Sequence, residues 1–147
     1  MKRTDKRLRL CTALLICNLV FIWGNSLMPG EVSQAISNFV QQLLSGVEIR
    51  PDEVPAGSGL LRKLAHFTEF LGLGMLLCWR FGMQGKTWKA AFLSGFAAAC
   101  TDETIQAFVP ERACRLFDVG IDSLGVLTGI ALLMLGHTYF KKRSATS

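Results

Sequence analysis

Hydrophobic and polar positions divide the chain into four long apolar stretches separated by polar segments. Each stretch approaches the roughly 20 apolar residues that a helix needs to cross a hydrocarbon core about 30 Å thick. We therefore predict an all-α membrane protein, a four-transmembrane-helix bundle forming one domain over residues 1–147. The predicted spans cover about residues 10–28, 60–79, 88–108 and 117–136.

A further helix is predicted between the first and second spans. Apolar residues recur there at helical spacing among Ser, Gln and Asn, at Val32, Ile36, Phe39, Val40, Leu43, Leu44 and Val47. This pattern indicates an amphipathic helix on the outer side over about residues 31–47. It could lie along the membrane surface or pack against the bundle, and the pattern favours neither. Residues 50–59 are rich in Pro and Gly and are predicted to form a loop.

Basic residues are distributed unevenly between the predicted loops, which indicates an orientation. If the amino terminus is cytoplasmic, 11 of the 16 basic residues lie on that side, and Asp5 is the one acidic residue that joins them. Lys and Arg near span ends favour the cytoplasm, so we expect a multi-pass protein with both termini cytoplasmic. The net charge of +5 then follows from topology, and we expect no nucleic-acid partner.

The composition raises two other possibilities, a cleaved signal peptide and a disulfide framework. The first span resembles a signal peptide in its basic start, but its apolar run is long and the nearest weak cleavage site is Ser33-Gln34-Ala35. The five cysteines do not indicate a disulfide framework, because four of them lie within apolar spans. Cys114 alone falls in an outer loop.

Charged groups inside the last three spans are costly in a membrane, so each is a functional hypothesis. Lys63, His66 and Glu69 cover an arc of about 120° on the second span. Asp102 and Gln106 share a face of the third span, which continues inward as a stripe of small residues.

The fourth span carries Asp118 and Asp122 on the same face as Gly125 and Gly129. Because these polar groups lie at matching depth, we predict that the three helices meet in one outward-facing pocket, with Arg115 nearby. The predicted ligand-binding residues are Lys63, His66, Glu69, Asp102, Glu103, Gln106, Arg112, Asp118 and Asp122. The alternative is that these charges pair only to hold the helices together.

Three motifs in this order resemble the VanZ-like family of small bacterial membrane proteins. They are Lys63-x-x-His66-x-x-Glu69-Phe70, Asp102-Glu103-x-x-Gln106-x-Phe108-x-x-x-Arg112 and Asp118-x-x-x-Asp122-x-x-Gly125, preceded by Asn25-Ser26-Leu27-Met28-Pro29-Gly30. The resemblance implies a bacterial cell membrane location and a link to resistance against the glycopeptide teicoplanin. Asp122 stands where the family usually has Asn, which adds a negative charge.

The leading functional hypothesis is a non-enzymatic membrane protein that handles a cell-envelope component, such as the anionic headgroup of an envelope lipid. The alternative is a metal-dependent membrane enzyme acting on a lipid-linked phosphate or acyl group. A third possibility is a transporter, which four short spans could form by oligomerising. The sequence contains no recognised metal-binding spacing or nucleophile motif, so we expect no cofactor and no metal. Membrane lipids are the expected partners.

Overall fold

The computed structural model describes residues 2–46 and 58–145, and every regular element in these ranges is an α-helix. Five helices follow one another: α1 (Lys2–Ser26), α2 (Gly30–Ser45), α3 (Ser58–Gly82), α4 (Trp88–Gln106) and α5 (Leu116–Ala145). The all-helical prediction is therefore confirmed for this part of the chain. Val47 and most of the predicted loop at 50–59 lie outside the described residues.

Helix α3 is the centre of the bundle, because it packs against each of the other four helices. Its contact with α5 is the most extensive, and α4 packs against both. Helix α1 lies against α3 and α4, whereas α2 lies against α3. Helix α4 is a neighbour of both α3 and α5, to which short connections join it, whereas the largest contact is between α3 and α5, which are not consecutive.

Glycines bring α3 and α5 to backbone contact. A Cβ atom on Gly125 would lie 2.6 Å from the carbonyl oxygen of Phe67, and one on Gly129 would collide with the carbonyl oxygen of Leu71. The small-residue face of the fourth predicted span therefore packs on α3, as membrane helices with such spacing do. Gly136, further along α5, has open space around it.

The bundle is largely apolar on its surface and partly polar inside. An apolar core is formed by Leu15, Ile22, Phe70, Leu73, Leu77, Ala91, Ala98, Ala99, Val126 and Ile130. Buried polar side chains next to it are Ser26, Asp102, Glu103, Gln106 and Asp122. Large apolar side chains on α1, α4 and α5 remain exposed, among them Phe21, Leu93, Leu124 and Leu135. This distribution is the reverse of the usual soluble arrangement, in which charged residues are almost never fully buried.

Two of the described helical segments are long and apolar enough to cross a membrane, judged by length and composition. They are Asp5–Ser26 of α1 and Leu116–Arg143 of α5. Two such segments support a membrane protein only weakly. Helices α3 and α4, predicted as the second and third spans, do not meet the criterion of length and composition. Their sequences contain the ionisable groups discussed above, which is the physical reason that hydropathy alone does not identify them.

Helix α2 is fixed at its first residues to the connection between α4 and α5. The Gly30 amide donates to the carbonyl oxygen of Pro110 at 3.3 Å, and the Glu31 amide donates to Oε2 of Glu111 at 3.1 Å. A carboxylate at a helix amino terminus is stabilising, because it accepts from otherwise unpaired amides and opposes the helix dipole. This attachment holds α2 beside α3 and determines one wall of the cavity described below.

Candidate functional site

Polar side chains gather at one end of the bundle, where α1 and α4 end and where α3 and α5 begin. We call this region the polar end. It contains Asn25 and Ser26 of α1, the first turns of α3 and α5, the last turns of α4, and the α4–α5 connection. The antiparallel course of successive helices brings these segments to the same level, so residues distant in sequence become neighbours.

A fully buried hydrogen-bond network joins α1 to α4. The Ser26 hydroxyl donates to Oδ1 of Asp102 at 2.6 Å, and the Gln106 amide donates to Oδ2 of Asp102 at 2.8 Å. Gln106 Nε2 also lies 3.3 Å from Ser26 Oγ, which can accept from it. Both oxygens of this buried carboxylate are therefore hydrogen-bonded, as a buried charge requires.

His66 of α3 and Asp122 of α5 lie beside the same carboxylate. Nδ1 of His66 is 3.8 Å from Oδ2 of Asp102, and the His66 side chain is 15% exposed. Asp122 is 1% exposed, and neither of its carboxylate oxygens has a hydrogen-bond partner among the described residues. One potential ligand atom from each of these three residues lies within 4.8 Å of the others, a spacing that could hold a metal ion.

Two further carboxylates of the polar end accept single hydrogen bonds. Oε1 of Glu69 accepts from the Asn25 amide at 2.7 Å, while its Oε2 atom is buried and has no hydrogen-bond partner among residues 2–46 and 58–145. Oε2 of Glu103 accepts from the backbone amide of Arg115 at 2.8 Å. Glu103 thus holds the start of α5 against the end of α4, which is a structural role.

Arg112, on the α4–α5 connection, carries unsatisfied donors. Its Nε and Nη1 atoms are buried and have no hydrogen-bond partner in the described ranges. Burial lowers the pKa of the Arg112 guanidinium, and the positive charge of Arg62 lowers that pKa further. An arginine nonetheless stays charged in proteins. Arg62 and Arg112 therefore place two positive charges beside the space between α3 and the α4–α5 connection.

That space is a cavity of about 200 Å³ bounded by α1, α2, α3 and the α4–α5 connection. Its polar wall is formed by Asn25, Ser33, Ser37, Arg62, His66, Glu69 and Arg112. Its apolar wall is formed by Met28, Ile36, Val40, Leu61 and Ala65. The cavity therefore offers a ligand both charged or hydrogen-bonding groups and hydrocarbon contacts.

Lys63 and Asp118 lie outside this cavity. Nζ of Lys63 is 4.9 Å from the centroid of the Phe117 ring, which is a cation–π contact. Oδ1 of Asp118 is buried and has no hydrogen-bond partner in the part of the chain that the structure describes. Both residues line a second, much narrower space together with His66 and Asp122. The nine predicted residues therefore lie in one region, but eight of them are divided between two spaces, with His66 lining both. The ninth, Asp102, is fully buried and lines neither space.

Three residues important to this arrangement were not among the predicted site residues. Asn25 and Ser26 lie at the end of α1 and donate hydrogen bonds to the carboxylates of Glu69 and Asp102. From the sequence they were identified only as part of the family motif and not as site residues. Arg62 lines both spaces, but it lies at the outer edge of a predicted span, where an arginine is unremarkable. Asn25 and Ser26 could have been predicted as site residues, because they are polar residues at the end of an otherwise apolar span.

Comparison with known proteins gives one match. The family model described as VanZ/LLP1 matches residues 11–137 of the 147. The match includes every predicted site residue together with Asn25, Ser26 and Arg62. No curated protein and no solved structure matches the chain. Since the matched region covers most of the sequence, the chain belongs to the VanZ/LLP1 family.

Proposed function

We propose that the chain is a multi-pass protein of the bacterial cytoplasmic membrane, in which α1, α3, α4 and α5 span the bilayer. The exposed apolar side chains and buried charges support this, because lipid favours the former and ionisable residues in membranes turn towards the bundle interior. The basic residues at the amino terminus, the α3–α4 connection and the carboxyl terminus support cytoplasmic ends. The polar end then faces outward.

The orientation of α2 fits this arrangement. Its apolar side chains at Val32, Ile36, Phe39, Leu43 and Leu44 are exposed, whereas Ser37 is buried against the bundle. A helix with one exposed apolar face is typical of the interface between water and lipid. We therefore favour the membrane-surface position for α2 over a purely covering role.

The orientation can be tested at Cys114, which is exposed on the α4–α5 connection. We expect a membrane-impermeant maleimide to label it in intact spheroplasts, because the connection lies on the outer side. The Cys114→Ser variant is the control and should lose most labelling, since the other cysteines lie within helices. Labelling of Cys114 only after the membrane is permeabilised would reverse the proposed topology.

We further propose that the cavity binds the anionic headgroup of an envelope lipid without chemical conversion. The observation that carries this proposal is the buried Arg112 guanidinium, whose Nε and Nη1 donors are unpaired beside a cavity with an apolar wall. Arginine donors match the oxygens of a phosphate group and form charge-assisted hydrogen bonds with it. An anion placed between Arg112 and Arg62 would also relieve their mutual repulsion.

The size and walls of the cavity limit the ligand. Pockets for drug-sized molecules measure about 300–1,000 Å³, so about 200 Å³ accommodates a headgroup rather than a whole lipid. The apolar residues of α2 and α3 would contact the first part of an acyl chain, which favours a lipid over free phosphate. His66 and Glu69 would supply hydrogen bonds to polar groups on the headgroup.

The test is binding of short-chain phosphatidic acid to the purified full-length chain, measured by calorimetry in detergent. Arg112→Gln should weaken binding about 10- to 100-fold, since a hydrogen bond to a charged group contributes about 1.5–3 kcal/mol. Arg115→Gln, a matched change at an exposed position of the same connection, should leave binding unchanged.

The choice of probe separates the sources of the anion. We expect inorganic phosphate and short-chain phosphatidylcholine to bind far more weakly than phosphatidic acid. Equal binding of inorganic phosphate would show that the apolar wall contributes nothing. Equal effects of Arg112→Gln and Arg115→Gln would contradict the proposed site.

A contribution to teicoplanin-type resistance is part of the same proposal, following the family resemblance. Expression of the wild-type chain should raise the inhibitory concentration of teicoplanin, and Arg112→Gln should remove the increase. The control is equal membrane abundance of the two proteins. If the Arg112→Gln variant raised the inhibitory concentration as much as wild type does, resistance would not depend on ligand binding in the cavity.

A metal-dependent enzyme acting on a lipid-linked phosphate or acyl group is the second candidate. The observation that favours it is that His66 lines the cavity and also lies near Asp102 and Asp122, which offers potential metal ligands beside a bound headgroup. A metal ion there could activate water and stabilise developing negative charge. Release of phosphate or fatty acid from a radiolabelled envelope lipid extract would distinguish turnover from binding.

A further inference from the structure

We propose that His66, Asp102 and Asp122 form a binding site for one divalent transition-metal ion, with Zn²⁺ or Mn²⁺ as the fitting ions. The three residues come from α3, α4 and α5, and one potential ligand atom of each lies within 4.8 Å of the others. This site shares His66 with the headgroup cavity but does not include Arg112, on which the headgroup proposal rests, so either proposal can fail without the other.

The state of Asp122 is the independent observation that points to a cation. Its side chain is 1% exposed, and both carboxylate oxygens lack a hydrogen-bond partner among the described residues. An unpaired buried carboxylate costs several kcal/mol unless it is neutralised. Its neighbour Asp102 cannot neutralise it, because Asp102 is also an acid. A cation bound between them would satisfy both.

The surroundings of Asp102 resemble those of a metal ligand. Ser26 donates to one oxygen and Gln106 to the other, which fixes the orientation of the carboxylate. Ligating carboxylates are commonly held by such second hydrogen bonds, and these partners affect metal affinity. Ligands about 2.1 Å from a tetrahedral ion lie about 3.4 Å apart, so Nδ1 of His66 and Oδ2 of Asp102, which are 3.8 Å apart, need to close only slightly. The other ligand atoms lie within 4.8 Å of one another and would have to approach by up to about 1.4 Å.

The charge balance of the polar end also favours a divalent cation. Five carboxylates surround the two spaces, at Glu69, Asp102, Glu103, Asp118 and Asp122. Three permanent cations face them, at Arg62, Lys63 and Arg112. If all five carboxylates are ionised, they exceed these three cations by two negative charges, which is the charge that one divalent ion would balance.

The donor set limits the choice of metal. An imidazole nitrogen suits Zn²⁺ and other transition metals, whereas carboxylate oxygens are also accepted by Mn²⁺ and Mg²⁺. One imidazole with two carboxylates therefore favours Zn²⁺ or Mn²⁺ over Ca²⁺, which takes six to eight oxygen ligands. Three protein ligands would leave a coordination position open on the metal.

The experiment uses the full-length chain purified in detergent, stripped with EDTA, and titrated with Zn²⁺ or Mn²⁺. We expect close to one ion per chain by mass spectrometry of the desalted protein, and for Mn²⁺ a matching loss of the free-ion electron paramagnetic resonance signal. Asp122→Asn keeps the shape of the side chain and should weaken binding by more than about 100-fold, beyond the 10- to 100-fold typical of second-shell changes. His66→Gln should have a comparable effect.

Asp5→Asn is the matched control, because it makes the same change at an exposed carboxylate near the start of α1, which lines neither space and does not belong to the three-residue cluster. It should retain binding within a few-fold of wild type. Circular dichroism establishes that each variant is folded. A folded wild-type chain that retains no ion overturns the proposal, as this result means that protons neutralise the cluster. Wild-type affinity in both Asp122→Asn and His66→Gln overturns it as well, because the ion would then be bound elsewhere.

Discussion

The Asp102→Ala variant should lose about 3–5 kcal/mol of unfolding free energy, the cost expected when one partner of a buried charged network is removed. The change leaves the Ser26 hydroxyl and the Gln106 amide without their acceptor in a fully buried position. It also removes the Ser26–Asp102 bond between α1 and α4, which leaves the longer hydrogen bond from Gln106 to Ser26. The measurement is reversible unfolding of the purified protein in mixed micelles containing EDTA, so that no metal ion contributes.

Thr101→Ala provides the control for this prediction. Thr101 is the preceding residue of α4, it is exposed, and its hydroxyl donates to the carbonyl oxygen of Ala97 within the same helix. Its removal should change the free energy by less than about 0.5 kcal/mol, as surface substitutions usually do. Equal stability of Asp102→Ala and Thr101→Ala would mean that the network contributes nothing to the fold.

The Gly129→Ala variant should be destabilised by about 3 kcal/mol, the upper part of the range for overpacking a core. Its added methyl group would collide with the carbonyl oxygen of Leu71 and lie 2.9 Å from the amide nitrogen of Met75. These are backbone atoms and cannot rotate away, so α3 and α5 must separate along their whole contact. The same unfolding assay measures the effect.

Gly136→Ala is a matched substitution on the same helix. A Cβ atom at this position has nothing within 4 Å, and alanine is favoured over glycine in a helix by about 1 kcal/mol. We therefore expect this variant to be as stable as wild type or slightly more stable. If Gly129→Ala also gains stability, the close contact between α3 and α5 does not exist in the folded protein.

The sequence predicts well those features that depend on local pattern. Apolar runs predicted where the helices lie, and the spacing of Gly125 and Gly129 predicted which face of α5 would make a close contact. It could not predict that this contact is with α3 more than with α4, because helix spacing identifies a face but not its partner. Gly136, seven residues after Gly129 on the same helix, makes no such contact.

In the candidate site, too, features that depend on local pattern could be predicted and contacts between helices could not. Each polar residue could be assigned to a helix face, and matching depth predicted that the faces meet. The division into two spaces could not be predicted, because it depends on where individual side chains turn: Lys63 towards Phe117, and Arg112 into the cavity. The absence of a metal-binding spacing was also uninformative, because His66, Asp102 and Asp122 come from three helices and share no local motif.

Photo-crosslinking of a bound lipid tests the proposed headgroup site most directly. The probe is a phosphatidic acid with a diazirine close to its headgroup, incubated with the full-length chain in lipid discs and mapped by peptide mass spectrometry. We predict adducts on the cavity wall, at Met28, Ile36, Val40 or Leu61, and their loss in Arg112→Gln but not in Arg115→Gln. A larger groove of about 910 Å³ at the opposite end of the bundle, lined by Trp79, Gly136 and His137, is the internal comparison. Adducts concentrated in that groove, or spread evenly over the exposed apolar faces, would contradict the account.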